Sequence, residues 1–405
     1  MTDLMRGVRI LEVAQWWFVP AAGALLADWG ADVIKVEHPD TGDGQRGLMT
    51  SGLVANTGGV NFMMEQSNRG KRSVGIDIAH PEGRELIYRL AETADVFLTN
   101  FLPPARKKLQ IDLEDIRARN PEIIYVRGSG QGVRGPHAEK AGYDAVSFWA
   151  RGGIGDALTR PSDEVPVGPR AAFGDSIGAM TIAGGIAAAL FRRAQHGETS
   201  VVDISLLSTA MWTLGPDLVV SKLMGIDKMF VGGGRGAPPN PVVNSYQTKD
   251  ERWIMLNLLQ ADRWWPDFCR HIDKPELIED PRFVDMKARF ENREACVAIL
   301  DEVFRSRTYE EWKLKLDTME GAWAPWQTPK ETTEDPQVEA NGYMPTVEAA
   351  DGGSFQLVAN PVQFDETPPT LQPAPEHGQH TEEVLLDLGL EWEEIARHKE
   401  SGAVL

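Results

Sequence analysis

The order strand, helix, strand at the N-terminus constrains this chain more than any other feature. Gly7-Val-Arg-Ile-Leu-Glu-Val13 alternates and is rich in β-branched residues, so it reads as a strand. Pro20 stands where a helix start tolerates a missing amide, Gly30 closes that helix, and Val33-Ile-Lys-Val-Glu37 follows at once as a second strand. A βαβ unit implies parallel strands in a doubly wound sheet. The pattern then repeats. A polar, glycine-rich loop over residues 40–60 leads to Asn68-Arg-Gly-Lys-Arg-Ser73, a strand over Val74–Ile78, a helix over Pro81–Thr93, a strand over Asp95–Leu98, a helix near Leu113–Arg119 and a strand over Ile123–Arg127.

A chain of 405 residues exceeds what one core usually serves, so more than one domain is expected. Composition shifts to Gly232-Gly-Gly-Arg-Gly-Ala-Pro-Pro-Asn-Pro between Met224 and Pro241, the mark of a junction or a mobile loop. Beyond it a strand over Trp253–Leu259 and helices over Arg263–Ile272, Arg293–Arg305 and Tyr309–Met319 suit a smaller α+β domain. A return studded with Pro325, Pro329 and Pro336 reaches a strand-rich piece around Phe355–Phe364 and a last helix from Thr381, whose hydroxyl is placed to cap it. The expected division is a large α/β domain over 1–220, a small α+β domain over 225–325, and a segment over 326–405 that completes the large domain. No internal repeat is visible.

Charge and cysteine content narrow the function classes. Sixty acidic against 41 basic residues give a net charge of −19, which argues against nucleic acid or an anionic membrane as a partner. Cys269 and Cys296 form no metal or redox spacing, and so few thiols in so long a chain fit a reducing cytoplasm. The N-terminus runs into its first strand without a basic-then-apolar signal, and no apolar run reaches spanning length without polar interruption.

Ala171-Ala-Phe-Gly-Asp-Ser-Ile-Gly-Ala-Met180 places one carboxylate, Asp175, before a run of small and apolar residues from Ser176 to Leu190. That run reads as a helix buried on all sides, with Arg192 and Arg193 in its last turn and Gly197 ending it. Asp175 at its N-terminus is either the helix cap or a nucleophile kept ionised by the helix dipole. Other motifs fall to plainer readings. Gly130-Gln-Gly-Val-Arg-Gly135 spells a dinucleotide fingerprint, but Pro136 follows where a helix should open, and the first strand-to-helix turn carries Ala14-Gln-Trp-Trp-Phe-Val19 where glycines would be needed. A nicotinamide cofactor is not expected. His377 and His380 lack further ligands for a metal, no Gly-x-Ser-x-Gly elbow occurs, and Trp264, Trp265 and Phe268 fall at core spacing. Trp16 and Trp17 follow the first strand, where open α/β sheets bind ligands, and are read as either a stacking surface or core. The basic cluster at Asn68–Ser73 is read as either a phosphate contact or a solvated turn.

In order and spacing these pieces closely resemble the class III CoA-transferase family, also called CaiB/BaiF. The resemblance rests on Gly7–Glu12, Leu25-Leu-Ala-Asp-Trp-Gly-Ala-Asp-Val-Ile-Lys-Val-Glu37, Asn68–Ser73, Asp95–Phe101, Gly142-Tyr-Asp144, Gly174-Asp-Ser176, Val202–Leu207 and His380-Thr-Glu-Glu-Val-Leu. It implies that Asp175 is the nucleophile, with Gln15 and Asp144 beside it as further catalytic residues. It also implies coenzyme A, as an acyl-CoA co-substrate, held by Gln15, Trp16, Trp17, His38, Ile76, Asn100, Phe101, Lys108, Leu109 and Tyr143. At the end of the second strand His38 replaces the family's frequent Arg, and Ala79 stands where a basic residue is common. Phosphate contacts then fall to Lys108, Arg106 and Arg72. The resemblance further implies a small carboxylic acid as second substrate, no metal, and an interlocked homodimer.

Three readings follow. CoA transfer between carboxylic acids runs through an aspartyl-CoA thioester on Asp175, with Gly232–Gly234 as a lid that keeps water from the intermediates. A racemase of 2-methylacyl-CoA esters needs an acid and a base on opposite faces of the α-carbon. Family racemases have His where this chain has Tyr143, and a phenol with a reference pKa of about 10 accepts protons poorly at neutral pH. A non-catalytic acyl-CoA-binding protein is the third.

Overall fold

The computed structural model describes residues 3–52, 57, 59–160, 163–227, 234–348 and 353–405. Gly232 and Gly233 of the expected lid lie outside them. The chain divides into two compact units, one of Met1–Val219 with Pro336–Leu405 and one of Val220–Asp335.

The larger unit is built on six parallel strands: β1 (Arg9–Val13), β2 (Asp32–Glu37), β3 (Arg72–Gly75), β4 (Val96–Thr99), β5 (Ile124–Ser129) and β6 (Val201–Ser205). Their spatial order is β3-β2-β1-β4-β5-β6. Successive residues of a strand face opposite ways, so Val96 and Leu98 enter one core while Phe97 enters the other; Ile124 and Val126 likewise oppose Tyr125. The connecting helices α1 (Phe18–Asp28), α2 (Phe62–Asn68), α3 (Pro81–Glu92), α4 (Pro103–Leu109), α5 (Leu113–Arg117), α6 (Ile154–Leu158), α7 (Phe173–His196), α8 (Leu206–Thr213) and α9 (Gly215–Met224) follow in turn. Because β1 is flanked by β2 on one side and β4 on the other, the winding reverses between β1 and β4. The loops after these two strands open a crevice there, the place where such sheets take ligands. The C-terminal segment closes on β3: Leu405 N donates to Gly75 O at 3.0 Å, and His380 N to Ser73 O at 2.9 Å.

The smaller unit carries an antiparallel sheet of β7 (Val243–Gln247), β8 (Trp253–Asn257) and β9 (Trp323–Pro325) with helices that include α10 (Ala261–His271), α11 (Met286–Glu291), α12 (Arg293–Phe304) and α13 (Tyr309–Leu316). Trp265, Phe268 and Trp312 are buried in its core.

Three local expectations change. Helix α7 begins at Phe173, so Asp175 is its third residue and not its cap; Ala172, at φ +54°, stands in the cap position and makes no side-chain bond. The helix is buried along one face only, through Gly174, Gly178, Ala179, Ile182, Ala183, Ile186 and Ala189. Its opposite face carries equally small or apolar residues, among them exposed Phe191, which hid the asymmetry in the sequence. The Thr381 hydroxyl does not cap its helix either: it accepts from Gly75 N at 3.0 Å and donates to Gly378 O at 2.7 Å, fastening the C-terminal segment to β3.

Candidate active site

The crevice at the β1–β4 reversal is laced shut by one side chain. Asn100, just past β4, accepts from Gln15 N at 3.1 Å and donates to Gln15 O at 2.6 Å, pairing with the main chain as a neighbouring strand would. Trp16 then turns the backbone through φ +70°. A bulky side chain pays for that conformation, and the holding force is visible: Asp43 Oδ1 accepts from Trp16 N at 3.0 Å and from Gln45 N at 3.0 Å. The turn sends adjacent tryptophans apart. Trp16 meets Tyr143 edge-on, ring centroids 6.1 Å apart and planes at 87°, while Trp17 Nε1 donates to Ser176 Oγ at 3.0 Å.

Asp43 belongs to a buried set of charges beneath this loop. Lys35 Nζ donates to Asp43 at 2.8 Å, Glu12 at 3.3 Å and Ala14 O at 3.0 Å. Lys71 Nζ bonds both Glu12 oxygens at 2.9 and 2.8 Å, with Pro20 O and Asn68 Oδ1 completing its shell. Two carboxylates thus face two ammonium groups with no exposed side-chain surface on Glu12, Lys35 or Lys71. Next to them, burial would raise the Glu37 carboxyl, but bonds from Arg46 and the charge of Lys35 outweigh it and bring it to about 2.

Asp175 is in a different state. It lies in the first turn of α7 on the wall of a cavity of about 340 Å³ shared with Gln15, Trp16, Phe18, Asn100, Phe101, Tyr143 and Leu206. Burial first, and then the charge of Asp144, push its carboxyl up to about 7. Asp144 opens a short π-helical segment (Asp144–Ala150) and caps α7 from outside it, its Oδ2 accepting from Gly174 N at 3.1 Å. Its Oδ1 is buried without a hydrogen-bond partner. The approach demands glycine at 174, where a Cβ would lie 2.2 Å from the Phe148 ring and 2.5 Å from Asp144 Oδ1. The Gly130 of the false fingerprint has a similar use: a Cβ there would sit 2.6 Å from the Cα of Gly142, so the two loops touch backbone to backbone behind the cavity.

A second cavity of about 270 Å³ adjoins the first through shared Gln15 and Phe101, and is lined also by His38, Ile76, Asp77, Ala79 and Leu109. The nine candidates Gln15, Trp16, Asn100, Phe101, Tyr143, Asp175, His38, Ile76 and Leu109 therefore line two joined spaces, with Asp144 directly behind. Trp17 faces elsewhere, onto an apolar cavity of about 510 Å³ with Leu25, Phe62, Met180 and Leu357. Arg72 is committed to Asp32, Glu383 and Asp387, and buried Arg106 to Asp112 and Phe101 O. Both are tied to the protein itself, and neither lines the joined cavities. Lys108 is exposed and lines neither joined cavity. Among the described residues no group of three or more His, Cys, Asp or Glu is placed to hold a metal ion. Sequence reading passed over Leu206 and Asp43; the second stood in Gly42-Asp-Gly44, whose only local signal is a turn.

The model of CoA-transferase family III matches residues 5–381. The chain belongs to that family. It is 32% identical to (R)-2-hydroxy-4-methylpentanoate CoA-transferase of Clostridioides difficile, over 99% of each chain. It is 30% identical to succinate–glutarate CoA-transferase of Agrobacterium fabrum, over 96% of this chain and 98% of that one. The fold of a CaiB/BaiF family protein from Brucella suis superposes with a TM-score of 0.79 at 28% identity, covering 96% of this chain and all of the other. As a class III CoA-transferase, the protein uses CoA thioesters and carboxylates, and the six-stranded parallel sheet is the family's scaffold.

Proposed function

We propose that this enzyme moves CoA from an acyl-CoA donor to a carboxylic acid through an aspartyl-CoA thioester on Asp175. The observation that carries the reading is Asp175 itself, a half-buried carboxylate with no counter-ion among the described residues, on the wall of a cavity that joins a second one. A thioester seats its acyl end beside Asp175, its pantetheine past Gln15 and Phe101, and its adenosine end in the space of His38, Ile76 and Leu109. Lys108, exposed in the last turn of α4, is our choice for a phosphate contact.

An Asp175 oxygen attacks the donor carbonyl, the C–S bond breaks, and CoA leaves as thiolate from a mixed anhydride. The thiolate attacks the Asp175 carbonyl, releases the donor acid as carboxylate and forms the aspartyl thioester. The acceptor carboxylate attacks that carbonyl in turn and expels the thiolate, which takes the acceptor's acyl carbon and frees Asp175. Covalent catalysis keeps the thioester energy in bonds throughout. Gln15, its backbone pinned by Asn100, presents its side-chain amide to the tetrahedral oxyanions. Asp144 fixes the first turn of α7 and raises the Asp175 carboxyl, making it a stronger nucleophile once ionised.

We further infer an interlocked homodimer. In the single chain Met211, Trp212 and Val219 are exposed, Trp212 by 85%, a cost in water that a second copy would remove. Light scattering at micromolar protein should give twice the chain mass.

The direct test incubates the protein with acyl-CoA donors and acids and follows products and intact protein by mass spectrometry. CoA exchange, with an adduct of CoA less water that is absent in Asp175→Ala, is the expected result. Exchange of α-hydrogen for deuterium without an acceptor acid would instead identify a racemase, and no exchange with any pair would refute the reading.

A further inference from the structure

The apolar cavity of about 510 Å³ has no part in the site described above, yet it lies one residue away from that site on two walls. Trp16 and Asp175 line the cavity of the nucleophile; Trp17 and Ser176, next to them in the chain, line the apolar one. Trp17 Nε1 donates to Ser176 Oγ at 3.0 Å, a single hydrogen bond across the border between the two spaces. The other walls come from α1, α2, α7 and residues 356–361, all within the larger unit. The last of these is held in place: Gln66 exchanges two hydrogen bonds with the main chain of Val358, at 2.8 and 3.1 Å, and Asn360 Nδ2 donates to Leu25 O at 3.2 Å. Besides the Trp17 indole, four polar side chains among the described residues line the cavity, and each is already bonded: Ser176 to Trp17 and Ala172 O, Gln66 to Val358, Gln356 to Met344 O, and Arg69 to Asp28. What is left to meet a guest is the Trp17 ring with Leu25, Phe62, Ala179, Met180 and Leu357.

We propose that this cavity receives the apolar tail of the acyl group, and that Trp17 is the side chain that admits it. The proposal rests on the transferase reading above. A thioester that reaches Asp175 past Gln15 and Phe101 carries its acyl substituent on the side of the carbonyl away from sulphur, and so away from those residues. Its first carbons stay in the cavity of Asp175. A longer tail has to leave that space, and the border at Trp17 and Ser176 is about 3.8 Å along the chain from the reacting residue. Opening it breaks one hydrogen bond between partly exposed groups, an effect of roughly fivefold in an equilibrium, and each methylene buried beyond it contributes about fourfold in the other direction. The volume suits the purpose, since small-ligand sites run from roughly 300 to 1,000 Å³. Carboxylic acids whose apolar tails outgrow the cavity of Asp175 are the substrate class this geometry favours. Trp17, Met180 and Leu357 stand outside the stretches on which the family resemblance rests, so relatives that take other acids need not share this border.

The test measures the binding of butanoyl-CoA and hexanoyl-CoA to Asp175→Ala, which does not turn over, by isothermal titration calorimetry. Hexanoyl-CoA should bind roughly tenfold tighter or better. Adding Met180→Trp fills the cavity and should bring that ratio below about threefold; adding Ser176→Ala removes the bond at the border and should raise it several-fold. Equal binding of the two esters to Asp175→Ala overturns the proposal and leaves the transferase reading standing. A ratio that Met180→Trp leaves unchanged places the tail elsewhere and also overturns it. So does a fall to single-chain mass in light scattering of Met180→Trp with the ratio intact, which would show that a second copy of the chain covers the cavity. Tighter binding of hexanoyl-CoA that Met180→Trp abolishes, without CoA exchange to any acid by the wild type, supports the tail site and sinks the transferase reading instead. Should Met180→Trp not fold, Ser176→Ala decides, and an unchanged ratio there overturns the role of the Trp17 border.

Discussion

Two groups of buried carboxylates lie on either side of the β1 loop, and they are handled in opposite ways. Beneath the loop, Glu12 and Asp43 are matched by Lys35 and Lys71 in direct contact, and each ammonium also finds carbonyl or amide oxygens. At the start of α7, among the described residues, Asp144 meets only backbone amides and Asp175 only the charge of Asp144, and Asp175 is driven up to about 7. The first arrangement spends its charges on geometry, since Asp43 is what holds Trp16 at φ +70°. The second leaves charge uncompensated, which is unfavourable for folding and useful for nucleophilic attack.

Removing the uncompensated charge should have the largest effect. Asp175→Asn keeps the shape, and CoA exchange should fall about 10⁴-fold or more, with loss of the protein–CoA adduct in mass spectra; residual activity above a hundredth of wild type would end the nucleophile assignment. Breaking the compensated group comes next. Glu12→Gln leaves Lys71 facing a neutral amide inside the fold and should cost about 3–5 kcal/mol in urea unfolding. A loss under about 1 kcal/mol would mean that the two groups are not different in kind.

The pH dependence separates the groups further. With the Asp175 carboxyl at about 7, kcat/KM should fall tenfold per pH unit below that value, and Asp144→Asn should move the break to lower pH. Stability follows the same proton. Between about pH 4, where an unfolded aspartate has titrated, and pH 7 the native state holds a proton that the unfolded chain has released. The Asp175 contribution to stability therefore declines as pH rises through this window and is flat above it. Asp175→Asn should accordingly be more stable than wild type at pH 8, with the gap closing toward pH 4, a point that thermal melts at the two pH values check. The smallest effect tests the link between the two groups. A Cβ at Gly44 would stand 2.9 Å from the Trp16 ring, so Gly44→Ala should lower kcat/KM several-fold through a displaced indole and leave the melting temperature within about 2 °C.

Much of this was readable from one chain without coordinates. Alternating β-branched runs separated by helix signals marked five of the six parallel strands, β1 to β5, to within a few residues, because strand and helix periodicity are local properties. Gly197 ended α7 as expected, in the left-handed conformation that glycine adopts freely. The ends that depend on distant partners were misjudged. Asp175 looked like a cap because it precedes a small-residue run, whereas the capping carboxylate belongs to Asp144, 30 residues before the Gly174 amide it accepts from. Thr381 looked like another cap, and its hydroxyl is held by Gly75, 306 residues away. Arg72 looked free for a phosphate until Asp32, Glu383 and Asp387 were brought to it.

By itself, then, the sequence determined the parallel α/β scaffold, the family and a short list of residues that includes Asp175. Those follow from periodicity and from the order of motifs, which the linear chain displays in full. Only the tertiary structure decided which carboxylates are neutralised and which are not, and that Trp16 and Trp17 face different cavities. Charge compensation depends on through-space distances of a few ångströms between residues far apart in the chain. Trp16 and Trp17 are neighbours in sequence, and a hydrogen bond from Trp16 N to the Asp43 carboxylate, 27 positions further on, turns them apart.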